Sequence, residues 1–214
     1  MYKRQNFTSL LAEEHGESLD ADARKYMDFI IDGSQRMHML VSDLLDYSRA
    51  GQDDTGGVEF ASGEKLNMAL ENLSEAIKET GARVTVDDDF PVITVNPVRF
   101  MRLLQNLIGN GIKYRKDGAA PEITVRVSSW DDMWQFSVED NGIGIQEEYL
   151  DQIFEIFKRL HHKNEYSGTG IGLAVCKKIV DSFGGDIWVQ SAFGQGSVFS
   201  FTVPKSGPKS VADV

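Results

Sequence analysis

Asn106-Leu107-Ile108-Gly109-Asn110-Gly111-Ile112-Lys113-Tyr114 is the stretch on which the reading of this chain turns. Asn106, Asn110 and Lys113 stand at i, i+4 and i+7, so on a helix they share one face. Leu103, Leu104, Leu107, Ile108 and Ile112 fall on the opposite side, toward a core. Two amide oxygens and an ammonium on one stripe suit a hydrated Mg²⁺ with polyphosphate: hard oxygen ligands for the metal, a point charge for the phosphate. Taken alone, the stripe reads as well as a polar solvent face. Pro97 opens this helix, where its missing N–H costs nothing, and the pattern runs on to Lys116.

Working outward, residues 122–128 and 134–139 alternate like paired strands, with a turn at Trp130-Asp131-Asp132. They lead into Asp140-Asn141-Gly142-Ile143-Gly144-Ile145. A carboxylate at a strand end can accept a hydrogen bond from a base amino group, and glycines let a flat ring approach the backbone. In isolation such a pattern is more often a tight turn. Gly168-Thr169-Gly170-Ile171-Gly172-Leu173 leads into a helix ending at Phe183, and so offers backbone N–H groups to a phosphate. No strand directly precedes it, so the dinucleotide-binding βαβ reading fails. Between these two motifs, residues 153–163 hold Phe154 and Phe157 as packing anchors. They also carry the cations Lys158, Arg159 and Lys163 with His161, a flap turned toward an anionic ligand. Gly194-Gln195-Gly196-Ser197 joins the last two strands, 186–191 and 197–203, and reads equally as an ordinary hairpin turn.

The ordered set is more specific than any member. It resembles the N, G1, F, G2 and G3 boxes of the sensor histidine kinase ATP-binding domain, whose fold is shared with gyrase-type ATPases and the heat-shock chaperone ATPase. Phe157-Lys158-Arg159-Leu160-His161 and Gly184-Gly185-Asp186-Ile187-Trp188-Val189 are similar to phytochrome-type bacterial kinases. The resemblance implies an α+β protein: a two-layer α/β sandwich, a mixed sheet covered by helices, preceded by an α-helical hairpin. The hairpin-paired strands independently suggest a mixed or antiparallel sheet.

The resemblance also implies ATP and Mg²⁺ as cofactors. Asn110 would bind Mg²⁺, Asn106 would line the phosphate site and Lys113 would contact phosphate, making Asn106 and Lys113 the catalytic pair. Asp140 would receive the adenine amino group, Gly142 and Gly144 would give it room, and Tyr114 would stack near the base. Gly168, Gly170 and Gly172 would close onto the triphosphate. Ile145, Phe157, Arg159, His161, Thr169, Ile171, Leu173 and Ser197 complete the expected ATP contacts. Gyrase-type relatives have a water-activating Glu where Asn106 stands. Its absence argues against plain ATP hydrolysis and for handing the γ-phosphoryl group to another acceptor, which the resemblance implies is a histidine and then a response-regulator aspartate; positioning and charge neutralisation suffice for such a transfer.

The first fifty residues read as helix. Asp20-Ala21-Asp22 suits a helix start. Met27, Ile30, Ile31, Ser34, Met37, Val41, Leu44, Leu45 and Ser48 recur about every 3.5 residues. Phe7, Leu10 and Leu11 precede them across a turn at Gly16-Glu17-Ser18, giving a hairpin of unequal arms. Residues 1–50 thus read as dimerisation and phosphotransfer helices, 51–57 as a linker, 58–204 as the catalytic domain and 205–214 as a frayed tail. Within 58–204, residues 62–80 read as a helix and 83–87 as a strand. The family's acceptor-histidine box is not found: His15 lies at the turn, His38 beside the apolar stripe, and His161 and His162 in the flap. The chain is accordingly expected not to phosphorylate itself and to look like a fragment.

Twenty-two Lys and Arg against 33 Asp and Glu give a net charge of −11. That field argues against nucleic-acid and membrane-surface binding. The single cysteine, Cys176, excludes an internal disulfide and fits a reducing, cytoplasmic setting. No apolar run reaches the ~18 residues of a bilayer span, so direct membrane insertion is not expected. Expected partners are a response-regulator receiver domain and, if the hairpin is completed, a second copy packed through residues 20–49. Two further readings share the fold: a non-catalytic ATP-gated partner-binding module, and a protein-serine kinase of the anti-sigma type. The long dimerisation helix argues against the second.

Overall fold

A computed structural model of the chain describes residues 20–50, 57–87, 89–158 and 169–206. The short hairpin arm, most of the linker, the tail from 207 and the flap residues 159–168 lie outside these. Helix α1, Ala21–Ala50, is capped as its acidic start predicts: the Asp20 carboxylate accepts the Ala23 N–H at 2.8 Å. At 1.5 Å per residue it is roughly 45 Å long. Much of the apolar stripe is in water, with Met37 64% and Val41 57% exposed. Among the described residues no helix is long and apolar enough to cross a membrane.

After α1 come β1 (Val58–Ala61), α2 (Ser62–Asn72), α3 (Ser74–Thr80), β2 (Arg83–Val86) and β3 (Val92–Val95). They are followed by α4 (Pro97–Lys113), β4 (Glu122–Trp130) and β5 (Met133–Asp140), then α5 (Gly172–Phe183), β6 (Ile187–Ala192) and β7 (Gly196–Pro204). Five strands form a sheet in the order β2-β4-β5-β7-β6, parallel only between β2 and β4. This is the mixed sheet expected. α4 and α5 cover one face and pack on each other.

Two local expectations are corrected and one pair of strands is new. The helix read over 62–80 is two: the chain leaves helical geometry at Leu73 (φ −95°, ψ 2°), and α3 restarts at Ser74. β1 and β3 pair antiparallel as a separate two-stranded ribbon, Val58 opposite Val95, and were not foreseen. α4 stops at Lys113, not Lys116, because Tyr114 turns its carbonyl outward to accept the Ile143 N–H at 2.9 Å. That bond ties the end of α4 to the loop after β5.

The core lies between helices and sheet. Phe100 of α4 meets Phe136 of β5 edge-on at 5.3 Å, and Phe136 stacks on Phe201 of β7 at 5.1 Å. All three rings are fully buried, each worth about 1.5–3 kcal/mol of apolar transfer. Leu103, Leu104, Leu107 and Ile108 of α4 pack into the same core, as do Val175, Ile179 and Val180 of α5. The apolar stripe of α4 therefore holds its Asn106–Asn110–Lys113 face away from the sheet. At the helix start, Asn96 Oδ1 accepts the Val98 and Arg99 N–H groups at 3.0 and 3.1 Å, ahead of Pro97.

Candidate nucleotide site

The sheet register builds the deeper end of the site. Asp140 ends β5 directly opposite Ser197 on β7, and Ser197 stands opposite Ser191 on β6. One row of polar side chains thus crosses three strands. The Asp140 carboxylate accepts the Gly142 N–H at 2.8 Å and also the Ser197 N–H. Burial raises its pKa above the ordinary carboxylate value. Those two N–H bonds work against the rise, as does nearby Lys116, and Glu139 adds to it. Ser191 accepts the Ile145 N–H at 2.9 Å and lies 2.7 Å from the Gly196 carbonyl and 2.9 Å from the Ser197 hydroxyl.

Asp140 and Ser197 are polar points on a cavity of about 90 Å³ walled by Ile143, Ile145, Ile153, Leu173 and Phe199. An apolar slot with one half-buried carboxylate suits a flat ring bearing an amino group. It opens into a second, more polar cavity of about 230 Å³, lined by Asn106, Asn110, Lys113, Thr169, Gly170 and Gly172. Asn110, Tyr114, Ile153, Lys158 and Leu173 line both, so the two are one bipartite site.

At the second cavity α5 begins with no side chain capping it: Ile171 occupies the N-cap. First-turn N–H groups left in that way, next to Thr169 and Gly170, suit an anion. Lys113 Nζ donates to the Tyr114 hydroxyl at 2.9 Å and sits 4.3 Å above that ring, which draws the ammonium and the aromatic face together at the junction. Among the described residues no three His, Cys, Asp or Glu side chains cluster as a metal cage. The oxygen donors on the polar wall include the Asn106 and Asn110 amides, a set that fits Mg²⁺ arriving with phosphate oxygens.

The residues named from the sequence divide clearly. Asp140, Gly144, Ile145 and Ser197 line the first cavity, and Asn106, Lys113, Thr169, Gly170 and Gly172 the second. Asn110, Tyr114 and Leu173 line both. Arg159, His161, Lys163 and Gly168 lie outside the described residues. Gly142, Phe157 and Ile171 line neither cavity. Ile171 is wholly buried, a core residue beneath the start of α5. Phe154 packs on the core as expected. Phe157 is no packing anchor: it is 60% exposed, on a left-handed backbone (φ 64°).

The two glycines after Asp140 answer to the protein's own backbone. A Cβ on Gly142 would lie 2.4 Å from the Tyr114 carbonyl oxygen. One on Gly144 (φ +68°) would lie 2.0 Å from that of Ala192. Sequence reasoning did not name every contributor: the walls Ile143, Ile153 and Phe199 were not singled out as site residues. Ser191 becomes visible only once the β6–β7 register is known. Lys158 was seen as part of the basic cluster but not as a cavity residue. Met39 and Asp43 come from α1 and line the polar cavity, with no signal in their local sequence.

Comparison with known proteins agrees with this architecture. The model of the histidine kinase-, DNA gyrase B- and HSP90-like ATPase family matches residues 95–207. Cyanobacterial phytochrome A of Nostoc sp. is 43% identical over 205 residues, 94% of this chain; the chain spans only 26% of that protein. The crystal structure of full-length ShkA in complex with AMPPNP superposes with a TM-score of 0.71 at 25% identity, covering 95% of this chain and 42% of that one. The histidine kinase ThkA, in its crystal structure with response regulator protein TrrA, has the same fold (TM-score 0.67, 23% identity, 93% of this chain and 57% of that one). With its mixed sheet, its bipartite cavity and these relatives, the chain belongs to the histidine kinase-, DNA gyrase B- and HSP90-like ATPase family, within it to the ATP-binding catalytic domains of sensor histidine kinases.

Proposed function

We propose that this chain is the kinase core of a two-component sensor: it binds Mg·ATP and passes the γ-phosphoryl group to a histidine, from which a response-regulator aspartate takes it. The observation that carries the proposal is the half-buried Asp140 carboxylate at one end of an apolar cavity that opens onto Asn106, Asn110, Lys113 and the uncapped start of α5. Adenine would enter the apolar end and give its amino hydrogen to Asp140. The triphosphate would then lie along α4 with its terminal groups near Thr169 and Gly170. Asn110 would hold Mg²⁺, which supplies charge neutralisation at the phosphates when bound, and Asn106 would line the phosphate site. Lys113 would add a fixed positive charge, held in place by Tyr114. Phosphoryl transfer of this kind needs positioning and electrostatics more than a protein nucleophile.

None of the four histidines, His15, His38, His161 and His162, stands in an acceptor box of the family type. The acceptor is therefore proposed to be supplied by another helical segment. A receiver domain is the proposed downstream partner and α1 the proposed dimerisation helix, acting in the cytoplasm. Calorimetric titration with ATP in the presence of Mg²⁺ tests the site. Saturable binding lost in Asp140→Ala, with the fold intact by circular dichroism, is the expected result. Unchanged affinity in that variant would place the base elsewhere.

A further inference from the structure

The buried residues of α5 are Ala174, Val175, Cys176, Ile179, Val180 and Phe183. Cys176, wholly buried, is the one among them with a side-chain atom able to hydrogen-bond. A free thiol in such a place is most often a small apolar filler. This one has a polar partner: the Asn106 side chain of α4 is hydrogen-bonded to it. Asn106 in turn lines the polar cavity together with Gly172, whereas Cys176 lines neither cavity.

The Asn106 amide has two unlike ends, a carbonyl oxygen that only accepts and an NH₂ group that donates. Which end faces the cavity decides what Asn106 can hold there. Burial pushes the Cys176 thiol up to about 12, and the Asn106 bond works against that rise. A bond that favours the thiolate is one donated to the sulfur, so the NH₂ group is the end turned to Cys176. The oxygen lies on the other side, 3.6 Å from where a Cβ on Gly172 would stand. Gly172 and Cys176 are four residues apart on one face of α5, the first at the cavity and the second beneath it. The amide is thus divided between them, nitrogen to the core and oxygen to the start of the helix.

We infer that Cys176 is a positioning residue for Asn106: by accepting from the NH₂ group, its sulfur holds the amide oxygen toward the phosphate cavity. The inference rests on the nucleotide reading of the site given above. An oxygen presented there repels a bare phosphate oxygen, since both only accept, and suits Mg²⁺ or the water it carries. Without the sulfur the amide is free to turn over, offer its NH₂ group to phosphate and lose that preference.

Calorimetry on the full chain tests this with three ligands: adenosine, ATP with Mg²⁺, and ATP in EDTA. Cys176→Val fills the site with an apolar group and removes the acceptor, and Cys176→Ser keeps an acceptor in place. Cys176→Ala serves where valine does not fit the core. The valine variant should bind Mg·ATP about three- to tenfold more weakly, the worth of one hydrogen bond. Adenosine affinity should be unchanged, and ATP in EDTA should bind no more weakly than to the parent. Serine should recover most of the loss. In an Asn106→Ala background, Cys176→Val should change Mg·ATP affinity no further. Equal Mg·ATP affinity in the parent and the apolar variants would overturn the inference. So would a loss shared equally by adenosine, which marks general core damage, a loss that serine does not recover, or one that persists in the Asn106→Ala background. If the parent binds adenosine and Mg·ATP, any of these results removes this inference alone. If the parent binds none of the ligands, the nucleotide reading falls and takes this one with it.

Discussion

A half-buried carboxylate at one end of an apolar cavity sets the chemistry at Asp140. Desolvation raises its pKa, so the folded state takes up a proton at a higher pH than the unfolded chain does. Stability attributable to this group is therefore greatest in acid. It falls as pH rises from the ordinary carboxylate value through the raised one, and the penalty is complete above the raised value. Binding runs the other way, because only the ionised form accepts the adenine amino hydrogen on either oxygen without competing as a donor. Asp140→Asn should accordingly melt no lower than the parent at pH 7 while binding ATP about 10- to 100-fold more weakly, the worth of a charged hydrogen bond. Calorimetry and thermal melts on the same samples check both halves. In the parent, ATP affinity should fall on acidification, starting above the usual carboxylate range, and the variant should show no such fall. Next to it, Ser191 holds the Ile145 N–H and the Ser197 hydroxyl. Ser191→Ala should weaken ATP binding by about five- to tenfold, near 1 kcal/mol. The effect should shrink for a nucleotide whose base lacks the amino group, which a general loosening would not produce. Asp140 was legible only as one of an ordered set of motifs, since its place between a strand and two glycines taken alone reads more readily as a tight turn. Ser191 was not, because its part depends on which residue faces it two strands away.

Helices α4 and α5 do the positioning, and their sequences show why they were readable. α4 has a Pro at its first position, an Asn before it, and an apolar stripe that leaves Asn106, Asn110 and Lys113 on the other face. Each local signal agrees with the packing. Asn96→Ala removes the acceptor for two N–H groups and should cost about 1 kcal/mol in urea unfolding. ATP affinity at saturating folded protein should change little, since the cap lies at the far end of α4 from Lys113. Elements that went unread lacked such agreement. β1 and β3 are four residues each, too short for alternation to stand out, and they become strands by pairing with each other. The break at Leu73 has no Gly or Pro to announce it. The end of α4 is set by a bond from Ile143, thirty residues on, and so is fixed by tertiary structure and not by propensity.

On the scale of the whole molecule, a nucleotide domain is joined to a long helix whose apolar stripe is largely in water. Met37, Val41, Leu44 and Leu45 are each more than half exposed, a run of apolar side chains along one helix. The 3.5-residue recurrence that revealed the stripe also indicates its natural cover, another helix of the same kind. The contact of α1 with α5, by contrast, joins Asp43 to Thr169 across 126 residues, and nothing local in either segment foretells it. A kinase core of this form should be inert toward itself and active toward a supplied acceptor. Incubated alone with labelled ATP and Mg²⁺, the chain should gain no acid-labile phosphate. Mixed with a helical-hairpin fragment bearing the family's acceptor histidine, it should label that fragment, and Asn110→Ala should lower the rate by about 10²-fold or more, the usual scale for loss of one charge-positioning group. Tight ATP binding with no transfer to such a fragment would favour an ATP-gated docking module over a kinase. A stable phosphohistidine on the chain itself would show that one of its four histidines serves as acceptor without the family's box.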